Sequence, residues 1–275
     1  MIIDYLKKKT PVHLKFYLKK IIRPCHQFVQ KIHSIILFNN LRKLGQFYGT
    51  DKVTGHSYTQ NYEKHFRKFK YKKVKLLEIG VGGYANPLNG GHSLRMWKRY
   101  FPFGKIFALD IYDKTAIEEK RIKIFKGSQI DNFFLNGITD EIGDLDIIID
   151  DGSHINEHVI KTFSILFPKL KDGGIYVIED IQTSYWPEYG GDSFDLNNPN
   201  TIMNFFKGLT DSLNNKEFIN SNYIQNYYDK KIISLHFYHN LIFIYKGNND
   251  EESNSIKNNQ LEFQIKSAQK VCKTI

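Results

Sequence analysis

The chain has 275 residues, 41% hydrophobic and 15% aromatic, enough to build a real core and to exclude wholesale disorder. Two distant cysteines, Cys25 and Cys272, with no CxxC, argue against a disulfide framework and a cysteine zinc site and make the cytoplasm the default compartment. Ten of the Lys and Arg residues lie within positions 1–43 beside one acid, Asp4, so this stretch carries +9 of the net +10 and the body is near neutral.

The basic arm comes first in the chain. "LKFYLKKIIRPCHQFVQKIHSIILF" spaces its apolar residues helically between lysines, and Pro24 breaks or kinks it. It lacks eighteen continuous apolar residues, and no apolar core with a small-residue cleavage site follows the first lysines. Neither a membrane-spanning helix nor a secretory signal is expected. Two readings stay open: a helical cap packed on the body or on another subunit, or a basic amphipathic segment making peripheral membrane contact through residues 1–43. A basic pI also invites RNA. The near-neutral body argues against a nucleic-acid partner.

From Lys75 the pattern is regular. Strands are predicted at 75–80, 105–111, 121–127, 145–151 and 173–180, with helices over 93–101 and 156–170. Alternation of this kind implies a parallel sheet covered on both faces. A polar, Asn-rich stretch over 181–231 holds a predicted helix, "TIMNFFKGLTDSLN", expected to lie over the sheet's carboxyl edge as a lid. "IISLHFYH" and "LIFIYKG" then form a tight antiparallel hairpin about Asn240. Five alternating strands with a late hairpin give an α/β fold of the class I methyltransferase type, with a seven-stranded Rossmann-like sheet. The expected divisions are the arm at 1–46, the domain at 47–247 and a polar tail at 248–275.

"EIGVGGYANPLNGG" follows the first strand. Gly80, Gly82 and Ala85 fit the dinucleotide G-x-G-x-x-G/A pattern, so a NAD enzyme competes. That pattern should open directly into a helix. Here Pro87, Gly90 and Gly91 delay the helix to about His92. Glu78 at the strand end suits a ligand bearing an amino or sulfonium charge better than a diphosphate. The reading is S-adenosylmethionine (SAM): Gly80 and Gly82 permit close backbone approach, Glu78 faces the methionine end, and Asp110 accepts ribose hydroxyls. Ser128 and Gln129, in "KGSQID", are candidates for the adenine edge or form an ordinary turn.

The fourth strand ends in Asp150 and Asp151, the fifth in Glu179 and Asp180. Adjacent strands lie roughly 4.8 Å apart, so four carboxylates converge. Like charges this close repel or take up protons unless a cation compensates. Oxygen ligands suit Mg²⁺, with Mn²⁺ or Ca²⁺ as alternatives. Successive side chains point to opposite faces. Asp151 is therefore assigned to the metal, and Asp150 to lining the SAM side or bracing the loop. His154 lies three residues past Asp151, placed to accept a proton from a metal-bound hydroxyl. His158 reads as a cap or packing residue.

In order, "YGTDK" with "HSY", "LLEIGVGGY", "GGHSLRMWKRYFP", "LDIYDK", "DDGSH", "VIEDIQTSYWPEYGG" and "HFYHNLIFIYKG" resemble the metal-dependent sugar O-methyltransferases of macrolide biosynthesis, the mycinamicin and tylosin type. The resemblance covers about residues 44–247. It implies Mg²⁺ on Asp151, Glu179 and Asp180, reproducing the family's spacing of twenty-eight residues, and His154 as base. It implies a SAM pocket completed by Tyr48, Thr50, His56 and Tyr58, and a substrate loop in which Tyr185 and Trp186 meet the sugar. The implied activity is methyl transfer to a sugar hydroxyl, on a polysaccharide, a nucleotide sugar or a glycosylated natural product, by a homo-oligomer. The macrolide enzymes carry a large extra N-terminal domain where this chain has a short basic arm, so substrate and oligomer geometry do not transfer. A SAM-dependent RNA modifier and a non-catalytic partner in glycan assembly are the alternatives.

Overall fold

A computed structural model describes residues 37, 39–257 and 260–261. The readings of the arm over 1–36 and of the tail beyond 261 fall outside the described residues. Five strands, β1 (Lys75–Ile79), β2 (Lys105–Asp110), β3 (Ile122–Lys126), β4 (Leu145–Asp150) and β5 (Leu170–Glu179), run parallel. The hairpin strands β6 (Ile232–Tyr238) and β7 (Leu241–Lys246) complete a sheet of order β3-β2-β1-β4-β5-β7-β6, with β7 antiparallel to β5. This is the class I methyltransferase sheet, as the order of elements implies. A small hairpin, β8 (Ile256–Lys257) and β9 (Gln260–Leu261), follows.

Buried parallel strands show near-continuous apolar runs, and β4 is an example: Leu145, Ile147, Ile148 and Ile149 are all fully buried. Helices α1 (Leu41–Tyr48), α2 (Asp51–Thr54), α3 (Thr59–Phe66) and α4 (His92–Tyr100) precede or follow β1. Leu44, Tyr62, Phe66 and Trp97 pack from these helices on the face carrying Leu76, Ile147 and Phe243. Tyr62 and Trp97 meet with ring centroids 4.9 Å apart. Thus the chain just before β1 is built into the core.

The second face is covered by α5 (Asn132–Ile142), α6 (Asn156–Leu166) and α7 (Ile202–Leu213), through Leu135, Phe163 and Phe206 against Leu77, Ile148 and Tyr176. The predicted lid helix is real as α7 but does not cap the carboxyl edge. Ile202, Phe206 and Leu209 bury against the second face beside α6, because an amphipathic stripe is stabilised most where it meets apolar partners. Helix α6 ends at Leu166, short of residue 170. Pro168 follows in a 3₁₀ turn, and the chain enters β5 at Leu170. The sequence pattern gives little sign of α5, whose interior holds Asn136 and Gly137, both poor helix formers. A short helix, α8 (Tyr227–Lys231), leads into β6 under a capping box of Asn226 and Asp229.

Candidate active site

The carboxyl ends of β1, β4 and β5 meet at one edge. In register, Ile79 pairs with Asp150 and Asp150 with Ile178, so the next residues to leave the sheet are Gly80, Asp151 and Glu179. At Gly80 (φ +90°) a β-carbon would lie 2.0 Å from the carbonyl oxygen of Asp151. The glycine is required by the approach of one strand's exit to another's. Gly82 (φ +75°) has open space where its side chain would be. Asp110 takes the backbone N–H of Val81 on Oδ2 and of Tyr112 on Oδ1, both at 2.9 Å, and so ties the glycine loop to β2. Each carboxylate oxygen keeps acceptor capacity beyond those bonds. The long loop ends at His92, where α4 begins, so the dinucleotide geometry is absent.

Lys52 of α2, 1% exposed, is the hub of the acidic cluster. Its Nζ lies 2.6 Å from Asp151 Oδ2, 2.7 Å from Glu179 Oε1 and 3.4 Å from Glu78 Oε1. Burial pulls its ammonium down, but Asp151, Glu179 and Glu78 outweigh that and hold it well above the usual lysine range. The Tyr62 hydroxyl donates to the same Glu179 oxygen. The Tyr58 hydroxyl donates to Asp180 Oδ1 at 2.6 Å, and burial with that bond keeps the phenol protonated. Glu78 is fully buried, and the groups that favour its ionised form are the Lys52 ammonium, 3.4 Å away, and the Ser93 side chain. Burial pushes its carboxyl up to about 7, against the pull of Lys52.

Across Asp151 from Lys52 lies a more open face. His154 Nε2 is 3.8 Å from Asp151 Oδ1 and 3.8 Å from Asp180 Oδ2. Asp151, His154 and Asp180 offer ligand atoms that all lie within 4.8 Å of one another. His154 (φ +57°) and Asp180 (φ +54°) both adopt the left-handed region that costs a non-glycine residue free energy. Strain at both is a sign that the surrounding loops impose their placement. Glu179 stands behind this face, 2% exposed, on Lys52 and Tyr62. His56 stacks on Tyr58 with ring centroids 4.7 Å apart and reaches Asp180 Oδ1 at 3.6 Å.

Other residues singled out in the sequence fall elsewhere. Asp150 points into the second face, 3.5 Å from the Tyr176 hydroxyl and 3.4 Å from Gln129 Nε2, and burial raises its carboxyl to about 7. Gln129 also donates to Thr162 Oγ1 at 3.1 Å and accepts from the Ser153 N–H at 2.8 Å, so it braces the loop after β4. Ser128 makes a local turn contact with the Ile130 N–H. Thr50 is the buried N-cap residue of α2, and the Tyr48 carbonyl accepts from His92 Nδ1. His158 Nδ1 pairs with Ser153 Oγ at 3.0 Å. Tyr185 and Trp186, 37% and 46% exposed, follow β5 in a tight 3₁₀ stretch. Lys52 and Tyr62 were not legible as site residues. Converging carboxylates at the strand ends signal that a cation is needed, but not which lysine supplies it, and Asp150 does not join them.

The chain is 45% identical over 214 residues to mycinamicin VI 2''-O-methyltransferase of Micromonospora griseorubida, covering 77% of this chain and 54% of that protein. It is 48% identical over 197 residues to demethylmacrocin O-methyltransferase of Streptomyces fradiae, covering 71% and 50%. The chain is homologous to these sugar O-methyltransferases. A crystal structure of the MycE methyltransferase from the mycinamycin biosynthetic pathway, in complex with Mg, SAH and mycinamycin VI, superimposes with TM-score 0.73 at 44% identity, covering 79% of this chain and 57% of that one. The resemblance read from the motifs is borne out, and so is the class I fold. No protein-family model matches the chain. The chain spans about half the length of the curated relatives it matches.

Proposed function

We propose that the protein transfers the methyl group of SAM to a sugar hydroxyl of a glycosylated small molecule, with Mg²⁺ organising the acceptor. The observation that carries this reading is the juxtaposition of two unlike sites at one sheet edge. One is Glu78, a fully buried carboxylate at the end of β1 whose nearest cation, Lys52, stands 3.4 Å away, which leaves it suited to the ammonium of a methionine moiety. The other is the face where Asp151 and Asp180 converge beside His154, whose two carboxylates fit a hard divalent cation. SAM supplies the electrophilic methyl, and Mg²⁺ lowers the pKa of the acceptor hydroxyl.

The chain's own residues do the rest. Asp151 and Asp180, with Glu179 behind them, hold the cation. His154 accepts the hydroxyl proton, and the two carboxylates at 3.8 Å stabilise the imidazolium that forms. An oxygen-preferring ion leaves the imidazole free for that task. Gly80 and Gly82 open room for the cofactor, and Asp110, spent partly on the glycine loop, keeps lone pairs for ribose. Tyr185 and Trp186 offer aromatic faces to the sugar. The relatives methylate rhamnosyl and olivosyl groups according to their names, which supports a deoxysugar acceptor over a polymer. The scarcity of cysteine supports a cytoplasmic setting. The direct test is methyl transfer from labelled SAM to a panel of glycosides, with the product's methyl located by NMR. A methyl on carbon, nitrogen or RNA, in place of a sugar oxygen, sinks the reading.

A further inference from the structure

We infer that Lys52 is a positioning residue, whose ammonium, together with the Tyr62 hydroxyl, fixes Asp151 and Glu179 so that the opposite side of Asp151 is presented to a divalent cation. The inference rests on the proposed metal-dependent reading and adds a residue that reading does not need. Asp151 is bifacial: Oδ2 is held by Lys52 at 2.6 Å, and Oδ1 faces His154 at 3.8 Å. Glu179 Oε1 is held by the same ammonium at 2.7 Å and by Tyr62. One point charge thus sets two carboxylates from two neighbouring strands, and it is buried to 1% exposure, where no counter-ion from solvent can replace it.

Lys52 reaches this place because its segment is anchored on both sides. The Thr50 N–H bonds Gly45 O at 3.1 Å, and the Tyr58 N–H bonds Lys52 O at 3.2 Å. Downstream, Tyr62 is fully buried against Trp97 and Phe243. The segment from Lys52 to Tyr62 therefore supplies a partner to Asp151, Glu179 and Asp180 at once, from outside the sheet. Without the ammonium, two carboxylate oxygens that now share one partner would repel. Asp151 would turn away from Glu179 and stop presenting a fixed oxygen to the cation.

The test is Mn²⁺ binding by electron paramagnetic resonance on the full chain, comparing wild type, Lys52→Met and Tyr62→Phe, with near-ultraviolet circular dichroism confirming the fold. Lys52→Met is expected to weaken Mn²⁺ by at least tenfold and to lower kcat far more than it changes the KM for SAM. Tyr62→Phe, which leaves the lysine in place, is expected to weaken Mn²⁺ by about threefold. Mn²⁺ binding unchanged or tightened in a folded Lys52→Met protein overturns the inference, because a charge that merely screened the acids would, once removed, leave the site more attractive to a cation. If Lys52→Met does not fold, unchanged binding in Tyr62→Phe overturns it equally. Failure of the wild type itself to bind Mn²⁺ would instead remove the metal-dependent reading.

Discussion

Glu78→Gln separates the cofactor role of this buried acid from any role in holding the fold. In the protein alone, Glu78 is a fully buried carboxylate 3.4 Å from the Lys52 ammonium. Its displacement from 4.5 to about 7 corresponds to a cost on the order of 3 kcal/mol for keeping it ionised. The sign follows from linkage. An acid whose folded-state pKa lies above its unfolded value favours the folded state least above the higher value, so this cost is fully present at pH 8 and vanishes below about 4.5. Glutamine removes it, so the ligand-free variant should melt no lower than wild type at pH 8. The cofactor's ammonium loses a charge-assisted hydrogen bond, about 1.5–3 kcal/mol. The dissociation constant for S-adenosylhomocysteine should therefore rise about 10- to 150-fold. Isothermal titration at pH 8 measures the second effect and thermal unfolding the first. A folded Glu78→Gln protein that binds the ligand as tightly as wild type refutes the assignment of Glu78 to the methionine end.

Three further outcomes follow from the geometry. His154→Ala should lower kcat by about 10²- to 10⁴-fold while leaving the Mn²⁺ dissociation constant within about threefold, because the imidazole is assigned to the proton and not to the cation; a large loss of Mn²⁺ affinity would make it a ligand. Gly80→Ala places a β-carbon 2.0 Å from the Asp151 carbonyl at φ +90°, and should cost at least about 2 kcal/mol, read as a lower melting temperature. His65 is held down to about 4 by burial, then by His236, Lys64 and Lys68, and its ring nitrogens meet the hydroxyls of Tyr245 and Tyr238. A histidine depressed in the folded state contributes stability that is present above about 6.5 and lost as the pH falls towards 4. The melting temperature should drop between pH 7 and pH 5, and His65→Gln should shrink that drop.

The sheet was legible because its signal is local. Runs such as "KLLEI" and "LDIIID" are bounded by glycine or acidic turns, and all seven strands lie within a few residues of their predicted ends. The pair of Asp151 and His154 was legible for the same reason: a strand that ends in acids and turns through glycine places them together. Gln129 looked like a cofactor contact, yet its amide is engaged by Thr162, Asp150 and Ser153, partners 21 to 33 residues away. Lys52 lies 99 residues from Asp151, and only the docking of α2 and α3 against the core brings it to the acids. The misplaced lid has a similar origin, since the apolar stripe of α7 reveals that it packs but not on which surface.

Metal-dependent methyl transfer to a sugar oxygen is directly measurable. The most direct measurement incubates the protein with labelled SAM and a glycosylated macrolide panel, with Mg²⁺, with EDTA, and with EDTA followed by excess Mg²⁺. An O-methyl sugar product is expected that disappears on chelation and returns with Mg²⁺. A product that forms equally well in EDTA, or label found only on RNA, would contradict it.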